Sequence, residues 1–157
     1  VGTWIIHKIP AGRHKNPLLI TIAMRELHYV LCKRALDYLR ASEDALSRGL
    51  YDVSGVLAQI SAELAVKATI SFLGYSFPET HEIRRLLGVL SSITLKDEVQ
   101  NFVKSRRGEL ILLENARTRG QYLSYGLSRE DAEICLNTAR EIIDLVKRAW
   151  GNRWCSG

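Results

Sequence analysis

The chain has 157 residues, 46% of them apolar, a formal charge of +5 and a pI near 9.3. That length and apolar share suit one folded domain with its own core, and they exclude a largely disordered chain. The mild basic balance is compatible with nucleic acid without requiring it, and no apolar run approaches the ~20 residues of a membrane span.

Residues 1–23 differ from everything after them. They hold Pro10 and Pro17, two of the three prolines, with Lys8, Arg13 and Lys15 and no acidic residue. Trp4-Ile5-Ile6 and Leu18 to Ile22 read as short strands or extended arms around a Pro-Ala-Gly turn. The only methionine, Met24, falls where helical periodicity begins. Two readings stand for this segment: a leader translated upstream of a start at Met24, or an arm docked along the domain formed by residues 24–157.

From Arg25 to Arg48, Leu27, Val30, Leu31, Ala35, Tyr38, Ala45 and Leu46 recur mostly at three and four, which predicts a helix ended by Gly49. Almost no loop separates it from the next helix, so the two form an antiparallel hairpin. That second segment, Tyr51 to Gly74, is apolar around most of its circumference and has no internal proline, with Asp52 as its cap and Gly74 as its stop. Such a helix is central, packed on several neighbours. A narrow polar line interrupts it: Gln59, Glu63 and Lys67, spaced by four, with Glu63 preceding Lys67 in the favourable order for an ion pair. The line is either a satisfied seam or the floor of a site.

A loop around Pro78 leads to Thr80, which caps a helix beginning at His81 with Ile83, Leu86, Leu87 and Leu90 on its apolar face. A further helix runs from about Lys96 to Asn115, with Gly108 as a possible bend. Residues 117–127 form a connection bearing glycine and tyrosine. Ser128 with Asp131 is close to a capping box and opens the last helix, striped by Ala132, Cys135, Leu136, Ala139, Ile142, Ile143 and Val146. Trp154 to Gly157 is a frayed tail. These elements predict an all-α, up-and-down antiparallel bundle of about five helices.

Chemistry is sparse. The four histidines lie in separate segments, and no His-x-x-x-His, Glu-x-x-His or Cys-x-x-Cys spacing occurs, so no metal site and no cofactor is expected. No glycine-rich phosphate loop follows a strand. Cys32, Cys135 and Cys155 are odd in number and widely spaced, which suggests reduced thiols in a cytoplasmic protein. What remains is a basic set, Arg84, Arg85, Lys104, Arg106, Arg107, Arg117 and Arg119, with Tyr122 and Tyr125 just beyond. Arginines mixed with tyrosines hold phosphates and stack on bases. The plain alternative is a solvated basic face.

In order and spacing these residues resemble a HEPN domain. The resemblance runs through Ala41 to Gly49, Tyr51-Asp52, Ala58-Gln59, Ala62-Glu63, Lys67-Ala68, Pro78-x-Thr80-His81, Leu86-Leu87, Ala116-Arg117 with Tyr122, Ala132, and Ala139 to Val146. It covers roughly residues 25–150 and leaves the N-terminal segment unexplained. It implies a helical bundle that commonly dimerises and is often encoded beside a small nucleotidyltransferase. Some members are metal-independent ribonucleases, whose motif is an arginine, four to six residues, then a histidine. Here no histidine follows Arg117 or Arg119 at that distance, and a phenol such as Tyr122 is a poor proton shuttle at neutral pH.

The leading expectation is therefore a non-catalytic HEPN-like module, homodimeric and without a membrane partner, that binds a nucleotidyltransferase, RNA or a nucleotide. Gln59, Glu63, Lys67, His81, Arg117, Arg119 and Tyr122 would line its polar groove. One alternative is a degenerate ribonuclease using Arg117 or Arg119 with His81 or Tyr122. Another is a structural dimer with no nucleic-acid partner.

Overall fold

A computed structural model describes the backbone of residues 17–156 and side chains from Glu26 onward. Among the described residues there are six α-helices and no strand: α1 (Pro17–Ser47), α2 (Tyr51–Phe72), α3 (Ile83–Ile93), α4 (Lys96–Ser105), α5 (Arg107–Tyr122) and α6 (Arg129–Lys147), followed by a 3-10 turn at Gly151–Arg153. The all-α bundle is as expected, with one helix more than the sequence pattern suggested.

The central position of α2 follows from its composition. It packs against α1, α3, α5 and α6, and Ala58, Ala62, Ala65, Val66, Ala68 and Ile70 are fully buried. Alanines let α1 approach closely, and buried hydroxyls fasten the pair. Ser42 Oγ donates to the Ser54 carbonyl at 2.7 Å, Ser54 Oγ to the Ser42 carbonyl at 2.9 Å, and Ser61 Oγ to the Ala35 carbonyl at 2.6 Å. By length and composition α2 alone among the described helices matches a membrane span, but most of it is enclosed within the bundle.

Both stop glycines behave as the sequence implies. Gly49 and Gly74 have φ of +75° and +91°. Each lets the chain reverse while the next two amides bond back to the last turn: Gly49 N to Leu46 O with Leu50 N to Ala45 O, and Gly74 N to Ser71 O with Tyr75 N to Ile70 O. Ser128 and Asp131 form the anticipated capping box, each side chain accepting the other's amide at 3.0 Å.

Several local expectations are corrected. Leu18 to Ile22 are not extended; they lie within α1, while Trp4-Ile5-Ile6 fall outside the described residues. Asp52 does not cap α2, since Leu50 holds that position without a side-chain bond. Instead Asp52 Oδ1 accepts the Leu127 amide at 2.6 Å, tying the α5–α6 connection to the start of α2. Thr80 turns the chain by accepting the Glu82 amide, and α3 begins two residues after His81, at Ile83.

The helix expected over 96–115 breaks at Arg106, not at Gly108. The Arg106 guanidinium bonds Glu141 of α6 at 3.0 Å, and its backbone leaves the helical region with φ −112° and ψ 25°. In compensation α5 continues through Tyr122, so the first six residues of the expected 117–127 loop are helical. Gly120 misled because its role is packing: a Cβ there would sit 2.6 Å from Val56 Cγ2 and 2.9 Å from the Asp52 carbonyl oxygen.

Cysteine usage is the largest correction. Cys32 and Cys155 form a disulfide, and only Cys135, buried in α6, is free. The described tail is accordingly docked and not frayed. Trp150 stacks on Phe72 at 4.0 Å, its Nε1 donates to Thr69 Oγ1 at 2.9 Å, and Trp154 meets Trp150 edge-on. The cysteine argument for a reducing compartment falls with the bridge.

Candidate functional site

The polar line of α2 is buried inside the bundle. Gln59 is fully enclosed, and Glu63 and Lys67 are 5% and 9% exposed. A carboxylate survives there only with partners, and Glu63 has four. Lys67 Nζ donates to Oε2 at 2.7 Å; Gln59 Nε2 donates to Oε1 at 3.0 Å. His81 Nδ1 lies 3.0 Å from Oε1, and Arg117 Nη1 donates to the same oxygen at 3.3 Å. Gln59 Nε2 also donates to the His81 carbonyl at 3.1 Å, so it fixes the loop that carries the imidazole.

Burial by itself raises the Glu63 carboxyl; the bonds from Lys67 and Gln59 and the charges of Lys67 and His81 more than reverse this, so it titrates below the ordinary range. With a neutral imidazole, one anion faces two cations, and the surplus positive charge sits on Arg117, whose side chain is a third exposed. His81, at 64% side-chain exposure, forms the outer edge.

His81 Nδ1 also lies 3.1 Å from Arg117 Nη1. A neutral ring has two ways to answer these neighbours. Protonated on Nδ1, it donates to Glu63 and leaves Nε2 with a lone pair; protonated on Nε2, its Nδ1 accepts from Arg117. The first form matches a carboxylate-oriented imidazole, the arrangement that readies the far nitrogen for a proton. Gln59 Oε1 is buried without a partner. Flipping the amide would turn that oxygen toward the Glu63 carboxylate, so the amide stands as described, with one acceptor unused.

Five of the seven anticipated residues thus converge: Gln59, Glu63, Lys67, His81 and Arg117. Arg119 and Tyr122 do not join them. The Arg119 guanidinium turns to the α5–α6 connection, donating to the Gly126 carbonyl at 3.0 Å and to Asp131 at 3.3 Å. Tyr122 ends α5 with 78% exposure.

One pair was missed in the sequence. Glu114 of α5 accepts the Arg84 backbone amide at 2.7 Å and the Arg84 guanidinium at 3.1 Å, clasping the start of α3 to α5. Glu114 occupies an ordinary polar helix position, and nothing in its spacing signals a partner thirty residues away. Among the described residues, no group of three or more His, Cys, Asp and Glu side chains is arranged to hold a metal.

The geometry defines a class: a small all-helical bundle whose central helix carries a buried charged seam opening beside an arginine. The chain belongs to the HEPN domain family, whose sequence model matches residues 29–149. It is also similar to the crystal structure of an archaeal HEPN homologue, at 26% identity and a TM-score of 0.57, covering 77% of this chain and 95% of that one. No curated protein matches it in sequence.

Proposed function

We propose that this HEPN domain is a homodimeric binding module that takes a phosphate group of RNA or of a nucleotide at the mouth of the Glu63 seam, alongside a nucleotidyltransferase-type protein partner. The observation that carries this reading is the position of Arg117. Glu63 takes one strong bond from Lys67 and leaves the Arg117 guanidinium only partly engaged, at 3.3 Å, beside an exposed imidazole. Guanidinium and imidazole N–H groups at a half-open edge are donors suited to a phosphate.

Affinity for a labelled RNA oligonucleotide and for ATP, measured across salt concentrations, tests the proposal. Binding should fall steeply between about 50 and 200 mM salt, and Arg117→Ala should remove most of it. Absence of binding at low salt would leave a structural dimer as the better account. A cytoplasmic setting belongs to the same proposal, and the Cys32–Cys155 bridge bears against it. Thiol trapping in intact cells measures this directly, because two protected cysteines would exclude a reducing compartment.

A second reading has its own support. The 3.1 Å approach of Arg117 to His81, with Glu63 behind the ring, supplies from another segment the histidine that Arg117 lacks downstream. In a metal-independent ribonuclease, His81 would move the 2′-hydroxyl proton and Arg117 would hold the scissile phosphate. RNA cleavage in EDTA, lost in both His81→Ala and Arg117→Ala, would establish it.

A further inference from the structure

Outside the seam, α3 and α4 enclose a groove of about 420 Å³ that shares none of its residues. Only Thr94 and Leu95 separate the two helices, so they fold back on each other with a trough between. Leu87 and Val99, both wholly buried, close its bottom, and the apolar surface open to a partner comes from half-buried Val103 and exposed Gly88. Arg84, Lys104 and Arg107 line it, and no acidic residue does. Arg84 lies near the start of α3 and Lys104 near the end of α4, both far from the α3–α4 turn, with Arg107 just beyond at the start of α5, so the positive charge gathers at one end of the trough.

Arg84 is committed to Glu114, whereas Lys104 and Arg107 are exposed and make no ion pair among the described residues. Gly88 leaves the middle of the trough open, since a Cβ there would have nothing within 4 Å.

We infer that this groove docks an acidic amphipathic helix of a protein partner. Its apolar side chains, spaced three and four apart, settle over Gly88 and against Val103, and its Asp or Glu residues lie over Lys104 and Arg107. Charge complementarity selects the acidic partner. The lining argues against RNA, because it offers no aromatic ring for a base to stack on. The open middle argues against a small molecule, whose sites enclose most of their ligand.

The experiment is selection of displayed random peptides of roughly sixteen residues, about four helical turns, on the purified full chain. Gly88→Leu fills the trough at a position with room for a side chain, and circular dichroism checks its fold. The double variant Lys104→Glu/Arg107→Glu reverses the charge without filling the trough. Enriched peptides should be net acidic, carry apolar residues at helical spacing, and lose about tenfold or more in affinity for each variant. No enrichment, enrichment of basic or non-amphipathic peptides, or wild-type affinity retained by either variant would overturn the inference. So would an RNA oligonucleotide whose binding is lost in Gly88→Leu. None of these outcomes depends on Arg117, so the seam and the groove stand or fall separately.

Discussion

Arg117 and His81 are 36 residues apart in the chain, yet Arg117 Nη1 lies 3.1 Å from His81 Nδ1, and both meet the same oxygen of Glu63. The arginine comes from the middle of α5 and the histidine from the stretch leading into α3. The buried carboxylate of α2 is what brings them together. Its charge is balanced inside the bundle by Lys67, which leaves Oε1 to hold the two outer groups together.

The two arginines of α5 should separate cleanly. Arg117→Ala is expected to weaken RNA or nucleotide binding about tenfold or more, with a stability change within ~1 kcal/mol because its side chain is partly exposed. Arg119→Ala should do the opposite. It loosens the connection held through Gly126 and Asp131, costs about 1–2 kcal/mol and leaves binding nearly unchanged. Paired denaturant melts and binding isotherms on the two variants check this.

Glu63→Gln removes the anion that Lys67 is buried against, so it should cost about 2–4 kcal/mol at neutral pH. The pH dependence has a definite sign. The folded carboxyl titrates below its ordinary value of 4.5, so as pH falls the unfolded chain takes up the proton first. Wild-type stability should therefore be complete above about pH 4.5 and decline below it. The decline should be shallower in Glu63→Gln. Urea midpoints from pH 7 to pH 3 on both proteins decide it, and parallel curves would contradict the assignment.

Glycines that look alike in the sequence should respond with opposite signs. Gly120→Ala drives a methyl into Val56 and the Asp52 carbonyl and should destabilise by about 1–3 kcal/mol. Gly88→Ala, in an open position of α3, should stabilise by roughly 0.5–1 kcal/mol through helix propensity. Thermal melts of the two variants provide the comparison.

The disulfide joins residues 123 positions apart, so it constrains most of the unfolded chain. Cys32→Ser should lower stability by about 2–5 kcal/mol. Alkylation of the native protein should find one slow thiol: burial first of all, with the charge of Asp131, pushes Cys135 up to about 12, and it should react fully only after unfolding.

Much of this fold is legible in the sequence because it is written locally. The stops at Gly49 and Gly74, the Ser128–Asp131 box and the largely apolar α2 all follow from residues within one helical turn of each other. The seam was legible for the same reason, since Gln59, Glu63 and Lys67 share one face of one helix. The failures involve distant partners. Asp52 left its helix cap for Leu127, Arg106 broke a helix while bonded to Glu141, Gly120 served packing, and Cys32 found Cys155. Arg119 illustrates it best: two residues from Arg117 it lies on another side of α5, and Asp131 and Gly126 claim it.

The Arg84–Glu114 contact sets a spacing. Glu114 stands one helical turn before Arg117, and Arg84 stands three residues after His81, so the bond that the Arg84 amide donates to Glu114 acts as the neighbouring rung of a ladder whose working rung is Arg117–His81. Sliding α3 by one turn along α5 would carry the imidazole about 5 Å away. Glu114→Asp, one methylene shorter, would retune that gap while leaving every group at the mouth chemically intact.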